Sequence, residues 1–175
     1  MRNKIITVFG SGFTRQDETY YAEAEEIGKI LGKKRITVCN GGYSGIMEAV
    51  SKGAKSAGGK TIGITVEGWT AKPNKYLDEE VRMPNLMERI TELITISDGY
   101  IVLKGGTGTL VELSLTLELM NKKAIPEKPI IIYKDFWKNV LETLKLDSEK
   151  LASLIDRNIQ YFNEPVEINK LIQKI

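Results

Sequence analysis

Short apolar runs alternate with segments of helical period along the whole chain, and this alternation constrains the fold more than any other feature. Ile5–Gly10 reads as a strand and Glu18–Leu31 as a helix. Ile36–Asn40 is a second strand, followed by a helix from about Ser44 to Ala57. Thr61–Val66 is a third strand, and Glu67–Pro84 reads as irregular. A helix over Asn85–Ser97 leads to a strand at Tyr100–Leu103, and a long helix covers Thr107–Lys122. Ile130–Tyr133 is the next strand and Phe136–Lys145 is helical. The tail gives a short strand near Ile159–Phe162, then a helix from Glu164-Pro165 to about Lys174, with proline suited to a first helical turn. Such alternation predicts parallel βαβ units in a three-layer α/β/α, Rossmann-like domain spanning 1–175. The near-continuous apolar strands fit a central parallel sheet covered on both faces. Ligands in such folds bind beyond the carboxyl ends of the strands, so the loops there are the ones to read.

Those loops are rich in glycine. The first, Gly10-Ser11-Gly12-Phe13-Thr14-Arg15, begins like a dinucleotide fingerprint but has Arg15 at the third glycine position. Its second strand ends in Asn40 rather than an acid, which argues against a dinucleotide. Gly10 and Gly12 still permit close backbone approach to a ligand; a tight turn is the competing reading. The second loop, Gly41-Gly42-Tyr43-Ser44-Gly45-Ile46-Met47, presents amides at a helix start, or is a turn capped by Ser44. Gly53 to Thr61 imitates a phosphate loop, but its spacing is off by one and it leads into a strand.

The fourth strand runs into Lys104-Gly105-Gly106-Thr107-Gly108-Thr109-Leu110-Val111-Glu112. Three glycines leave backbone amides bare where a helix begins, and amides and helix dipole both favour a phosphate. Thr107 and Thr109 add hydroxyls, Lys104 adds charge, and Glu112 projects from the first turn. Thr109 and Glu112 also have the spacing of a capping box, which by itself needs no glycines. On the preceding helix, Arg89 borders the apolar face formed by Leu86, Ile90, Leu93 and Ile94.

Composition narrows the chemistry. The chain has no histidine and one cysteine, so Ser-His and Cys-His pairs and imidazole metal ligands are excluded. Any proton transfer falls to Asp, Glu, Lys, Tyr or water. No metal and no cofactor are expected. Cys39 lies in an apolar strand and reads as core. A net charge of +2 gives no electrostatic case for nucleic acid or an acidic membrane. No apolar stretch approaches the roughly 18 residues of a membrane span. The basic opening Met1-Arg2-Asn3-Lys4 precedes an apolar run that ends at Phe9, shorter than a signal-peptide core. A cytoplasmic protein is expected.

At Gly105-Gly106-Thr107-Gly108-Thr109-Leu110-Val111-Glu112, with Arg89 and Asp98 upstream, the sequence resembles the LOG ("lonely guy") family, often labelled possible lysine decarboxylase. Phe9-Gly10-Ser11-Gly12 and Gly41-Gly42…Gly45-Ile46-Met47 match two further landmarks. The resemblance implies a Rossmann-like, usually dimeric protein that hydrolyses the N-glycosidic bond of nucleoside 5′-monophosphates to free base and ribose 5-phosphate. Arg89 and Glu112 would be the catalytic pair. The substrate or phosphate would lie against Gly10, Ser11, Gly12, Gly41, Gly42, Gly45, Met47 and Lys104 to Thr109. Apart from the resemblance, Trp69 or Tyr76 in the irregular stretch could cover the base, and plain packing is the competing reading of each. Lys104 replaces the family proline, and Ile90 replaces the usual lysine after the arginine. A neighbouring group resembles molybdenum-cofactor carriers, which bind a phosphorylated pterin without chemistry. A decarboxylase would need a lysine Schiff base to pyridoxal phosphate, and no lysine here has a supporting motif. Because no residue set suits a transition metal, exhaustive chelation should leave any hydrolase activity unchanged. Activity lost to chelator and restored by zinc would contradict this.

Overall fold

A strand buried on both faces must be apolar on both, and that is why the central strands read as unbroken runs. The computed structural model describes residues 3–174; Met1 and Arg2 of the basic opening lie outside the described residues. The strands are β1 (Ile5–Phe9), β2 (Thr37–Asn40), β3 (Thr61–Val66), β4 (Glu79–Met83), β5 (Gly99–Val102), β6 (Ile130–Tyr133) and β7 (Ile159–Phe162). They form one sheet in the order β4-β3-β2-β1-β5-β6-β7, parallel at every pairing.

The helices are α1 (Thr19–Lys33), α2 (Ile46–Ser56), α3 (Leu86–Thr95), α4 (Thr107–Asn121), α5 (Lys134–Lys145), α6 (Glu149–Asn158) and α7 (Ile168–Leu171). Two apolar cores divide them. On one face Ile27, Leu31, Val50 and Ile168 of α1, α2 and α7 pack on Ile6, Val8, Val38 and Ile101. On the other, Leu93, Leu113, Leu141 and Ile155 of α3 to α6 pack on Phe9, Ile64, Tyr100 and Ile132. The three-layer α/β/α architecture expected from the alternation is therefore the one observed. Cys39 is a fully buried member of the second core, and burial pushes its thiol up to about 12.

Three elements differ from the sequence expectation. Glu79–Met83, inside the stretch read as irregular, is the edge strand β4. It has one neighbour and exposes Glu79, Glu80 and Arg82, so it lacks an apolar run and its charges protect a free edge. Residues 149–158 form α6, capped by the Ser148 hydroxyl, which accepts from the Leu151 amide. Only Leu154 and Ile155 of that helix are fully buried, so its apolar stripe is thin. The final helix is broken into 3-10 turns at Pro165–Glu167 and Ile172–Lys174 around the four residues of α7.

α1 and α2 approach so closely that their glycines carry the contact. A Cβ on Gly53 would overlap the Glu25 carbonyl and sit 3.0 Å from the Lys29 amide; one on Gly28 would overlap the Val50 carbonyl. These obstacles are backbone, which no rotamer change relieves. Gly53→Ala is expected to cost about 1–3 kcal/mol, as overpacking does, lowering Tm by roughly 2–12 °C. An unchanged melting curve would show that the helices can separate at no cost.

Candidate active site

The strand order reverses between β1 and β5. Their outgoing loops therefore diverge and leave a crevice at the carboxyl edge of the sheet. The two loops are tied at the base, where the Leu103 amide donates to the Phe9 carbonyl and the Ser11 amide to the Lys104 carbonyl at 3.0 Å. The crevice is a cleft of about 250 Å³. Its floor and walls come from Gly10 to Phe13, Tyr43, Met47, Trp69, Arg89, Gly106 to Thr109 and Glu112.

Arg89 is buried at the centre, with 6% of its surface exposed. Asn85 begins α3 by accepting the Glu88 amide on its side chain, and one turn later the helix delivers Arg89 beneath the cleft. The guanidinium donates from Nε to the Ile64 carbonyl at 2.8 Å and from Nη2 to the Gly41 carbonyl at 3.2 Å. Nη1 lies 3.9 Å from Glu112 Oε1. The Tyr43 and Trp69 rings flank it at 5.6 and 5.9 Å. Burial lowers its pKa against the opposing pull of Glu112, but an arginine keeps its charge. Gly41 is required here, because a Cβ would overlap Arg89 Nη2 and come within 2.7 Å of Met47 Sδ.

Glu112 faces Arg89 from the second turn of α4, not from the first turn as the sequence suggests. Desolvation raises its pKa to about 7, and the nearby guanidinium opposes that rise without cancelling it. The glycine loop lies one turn away. Among the described residues, the amides of Gly105, Gly106, Thr107, Gly108 and Thr109 donate to no protein acceptor, and the N-cap of α4 is Gly106 with no capping side chain. A Cβ on Gly106 or Gly108 would meet open space, whereas one on Gly105 would overlap Thr109. Gly105 thus seats the buried Thr109 side chain, and Gly106 and Gly108 keep the cleft wall bare.

Two local expectations are corrected. Thr109 and Glu112 form no capping box: the helix starts at Thr107, and Glu112 turns toward Arg89 instead. Ser44 is not the cap of α2 either. Gly45 fills that position with φ of 69°, and the Ser44 hydroxyl donates to the Gly12 carbonyl at 2.9 Å.

The remaining candidates are dispersed. Gly10, Ser11, Gly12 and Met47 line the cleft. Gly41, Gly42 and Gly45 lie behind it as a brace: the Gly42 amide donates to Asn40 Oδ1, and Gly45 packs on the Ser11 and Gly12 backbone. Lys104 and Gly105 border a neighbouring cleft of about 290 Å³, and Lys104 Nζ rests 4.1 Å from the Tyr20 ring centre rather than beside Glu112. Trp69 is at the site, but the Tyr76 carbonyl accepts from Thr61 at the opposite end of β3. Asp98 likewise sits at the far edge of the sheet, where it accepts the Ile5 amide. Sequence reasoning passed over Tyr43 and Phe13 as cleft residues. Their signal was an aromatic side chain set inside a glycine-rich loop.

Comparison with known proteins matches the SLOG cluster4 family over residues 3–160. The chain belongs to that family. Within its wider LOG-like relatives, it is 30% identical over 127 residues to a pyrimidine/purine nucleotide 5′-monophosphate nucleosidase of Escherichia coli, covering 66% of this chain but 28% of that protein. It is 31% identical over 146 residues to the cytokinin riboside 5′-monophosphate phosphoribohydrolase LOG5 of Arabidopsis thaliana, covering 81% of this chain and 64% of that one. The chain thus spans less than two thirds of both named enzymes. Among solved structures, the molybdenum cofactor binding protein of Rippkaea orientalis superposes with a TM-score of 0.77 at 28% identity, over 99% of this chain and 98% of the other. This SLOG cluster4 protein therefore shares its fold with a cofactor binder and its sequence pattern with nucleotide hydrolases. Among the described residues, no helix is long and apolar enough to cross a membrane.

The buried carboxyl has a measurable signature. Its folded pKa, about 7, exceeds the ordinary glutamate value, so the proton favours the folded state. Glu112 therefore supports the fold below roughly pH 4.3, and that support is lost as pH rises through about 7. NMR of side-chain-labelled glutamates should show a carboxyl titrating near 7 that is absent in Glu112→Gln. A spectrum with no such titration lost in Glu112→Gln would contradict it.

Proposed function

We propose that this protein hydrolyses the N-glycosidic bond of nucleoside 5′-monophosphates, releasing a base and ribose 5-phosphate. The observation that carries the reading is the juxtaposition in one cleft of a buried Glu112–Arg89 pair with a row of unpaired amides at the start of α4. The amides of Gly106 to Thr109 take the phosphate, where helix dipole and N–H groups converge. Breaking the C1′–N bond sends its electron pair to the departing base and leaves positive charge on the ribose ring. The Glu112 carboxylate stabilises that charge and accepts a proton from the water that bonds to C1′, while the base acquires a proton as it leaves. Arg89 acts through Glu112: two of its three nitrogens are tied to backbone carbonyls, and the third faces the carboxylate. It fixes the carboxyl in place and favours its ionised form.

A second reading is a carrier for a phosphorylated cofactor such as the molybdenum cofactor. The match to the Rippkaea orientalis binding protein along nearly the whole chain favours it. Both readings use the same cleft. A lone, buried Cys39 and the lack of a membrane-spanning helix among the described residues support a cytoplasmic setting.

Incubation with a panel of nucleoside monophosphates should release free base and ribose 5-phosphate. Glu112→Gln should still bind nucleotide and should lose about 10²–10⁴-fold in turnover, the range for a positioned acid or base. Wild-type kcat should rise with pH through about 7 as Glu112 ionises. Full activity in Glu112→Gln removes Glu112 from the mechanism, and tight binding with no hydrolysis of any nucleotide favours the carrier.

We also propose a homodimer. Leu86 and Met87 at the start of α3, and Leu110 and Val111 at the start of α4, leave apolar surface exposed. α4 is apolar nearly all round, more than contact with one sheet requires. Light scattering at micromolar concentration should give twice the chain mass; a monomer mass would refute this.

A further inference from the structure

The cleft has an aromatic side that phosphate binding does not use, and its contacts with Arg89 still leave ring surface open at the rim. Trp69, on the connection between β3 and β4, is 48% exposed at the cleft wall. Its indole stacks on the Tyr43 ring with centroids 5.6 Å apart and planes 23° apart. Tyr43 is itself anchored: it is 7% exposed, and its hydroxyl accepts the Val66 amide at 2.9 Å. The indole is therefore held on a fixed support. From the loop after β1, Phe13 borders the same cleft with 96% of its surface exposed. Two large rings on separate loops are thus left in water at the rim of one concave site. The shape suits a flat ligand better than a protein surface, which would need an extended patch.

We infer that Trp69 is a stacking platform for a planar heteroaromatic group of the ligand, with Phe13 closing over it. This rests on the reading of the cleft as a site for a phosphorylated ligand. It names the ligand class: a phosphate ester carrying a flat heterocycle, selected over the same sugar phosphate without one. Stacking tolerates any base, because every base has a π-face. The platform therefore sets the requirement for a base and leaves its identity to edge contacts.

Tryptophan fluorescence tests this directly, because the chain has two tryptophans and the other is secluded. Trp137 is 2% exposed and donates from Nε1 to the Leu103 carbonyl at 2.9 Å. AMP, GMP, CMP and UMP should each change the emission of the wild type, and ribose 5-phosphate should change it little. In calorimetry, Trp69→Leu should weaken nucleotide binding roughly 5- to 150-fold, the cost of one base–aromatic stack, with ribose 5-phosphate affinity unchanged. Trp69→Phe should recover part of the loss, and Phe13→Ala should act in the same direction. Unchanged nucleotide affinity in Trp69→Leu overturns the platform, and so does equal weakening of nucleotide and ribose 5-phosphate. Wild-type binding without hydrolysis overturns the hydrolase reading alone and leaves the platform standing. Failure of the wild type to bind any of the four nucleotides overturns the platform together with the ligand reading beneath it.

Discussion

The site depends on how a buried guanidinium is satisfied. An arginine inside a protein must find acceptors for its N–H groups and a compensating charge, or the fold pays several kcal/mol. Arg89 finds them on three elements at once: the Ile64 carbonyl on β3, the Gly41 carbonyl after β2 and the Glu112 carboxyl on α4. Each demand fixes something else. Gly41 cannot carry a side chain, Met47 packs beside the guanidinium, and α4 must present its second turn toward α3. The glycine loop that opens α4 is thereby aimed at the same space as the carboxyl.

The pair is imperfectly balanced, in a way that suits the proposed hydrolysis. Nη1 and Oε1 are 3.9 Å apart, too long for a hydrogen bond, so burial still raises Glu112 to about 7. A carboxyl poised there holds a proton weakly near neutrality and gains most from a positive charge that appears beside it. A cationic ribose ring would supply such a charge only during bond breaking, which is the condition for stabilising a transition state over a ground state. A carrier has no use for that property, although its phosphate would find the same amides.

Much of this was legible in the sequence. Apolar runs buried on both faces, such as Ile130–Tyr133, betray a central parallel strand, and the order of elements gives the layers. The edge strand β4 was not legible, because Glu79, Glu80 and Arg82 face solvent and carry no apolar signal. Arg89 and Glu112 stood out through spacing and resemblance, but not the manner of their meeting. The same spacing let Thr109 and Glu112 pose as a capping box, and only the uncapped start of α4 and the approach of Glu112 to Arg89 settle which way Glu112 turns. Lys104 illustrates the converse. Adjacency in sequence to the glycine loop suggests a phosphate ligand, yet the chain direction at the end of β5 sends its side chain to Tyr20. Neighbouring residues on an extended segment point to opposite sides.

The most direct measurement is a crystal structure of Glu112→Gln with a nucleoside 5′-monophosphate, since that variant should bind without turning over. The phosphate should accept hydrogen bonds from the amides of Gly106 to Thr109, with C1′ of the ribose facing residue 112 and room between them for a water about 3–3.5 Å from C1′ and within hydrogen-bond reach of that side chain. A phosphate seated against Lys104 and Gly105, or a ribose whose C1′ turns away from residue 112, would contradict the account.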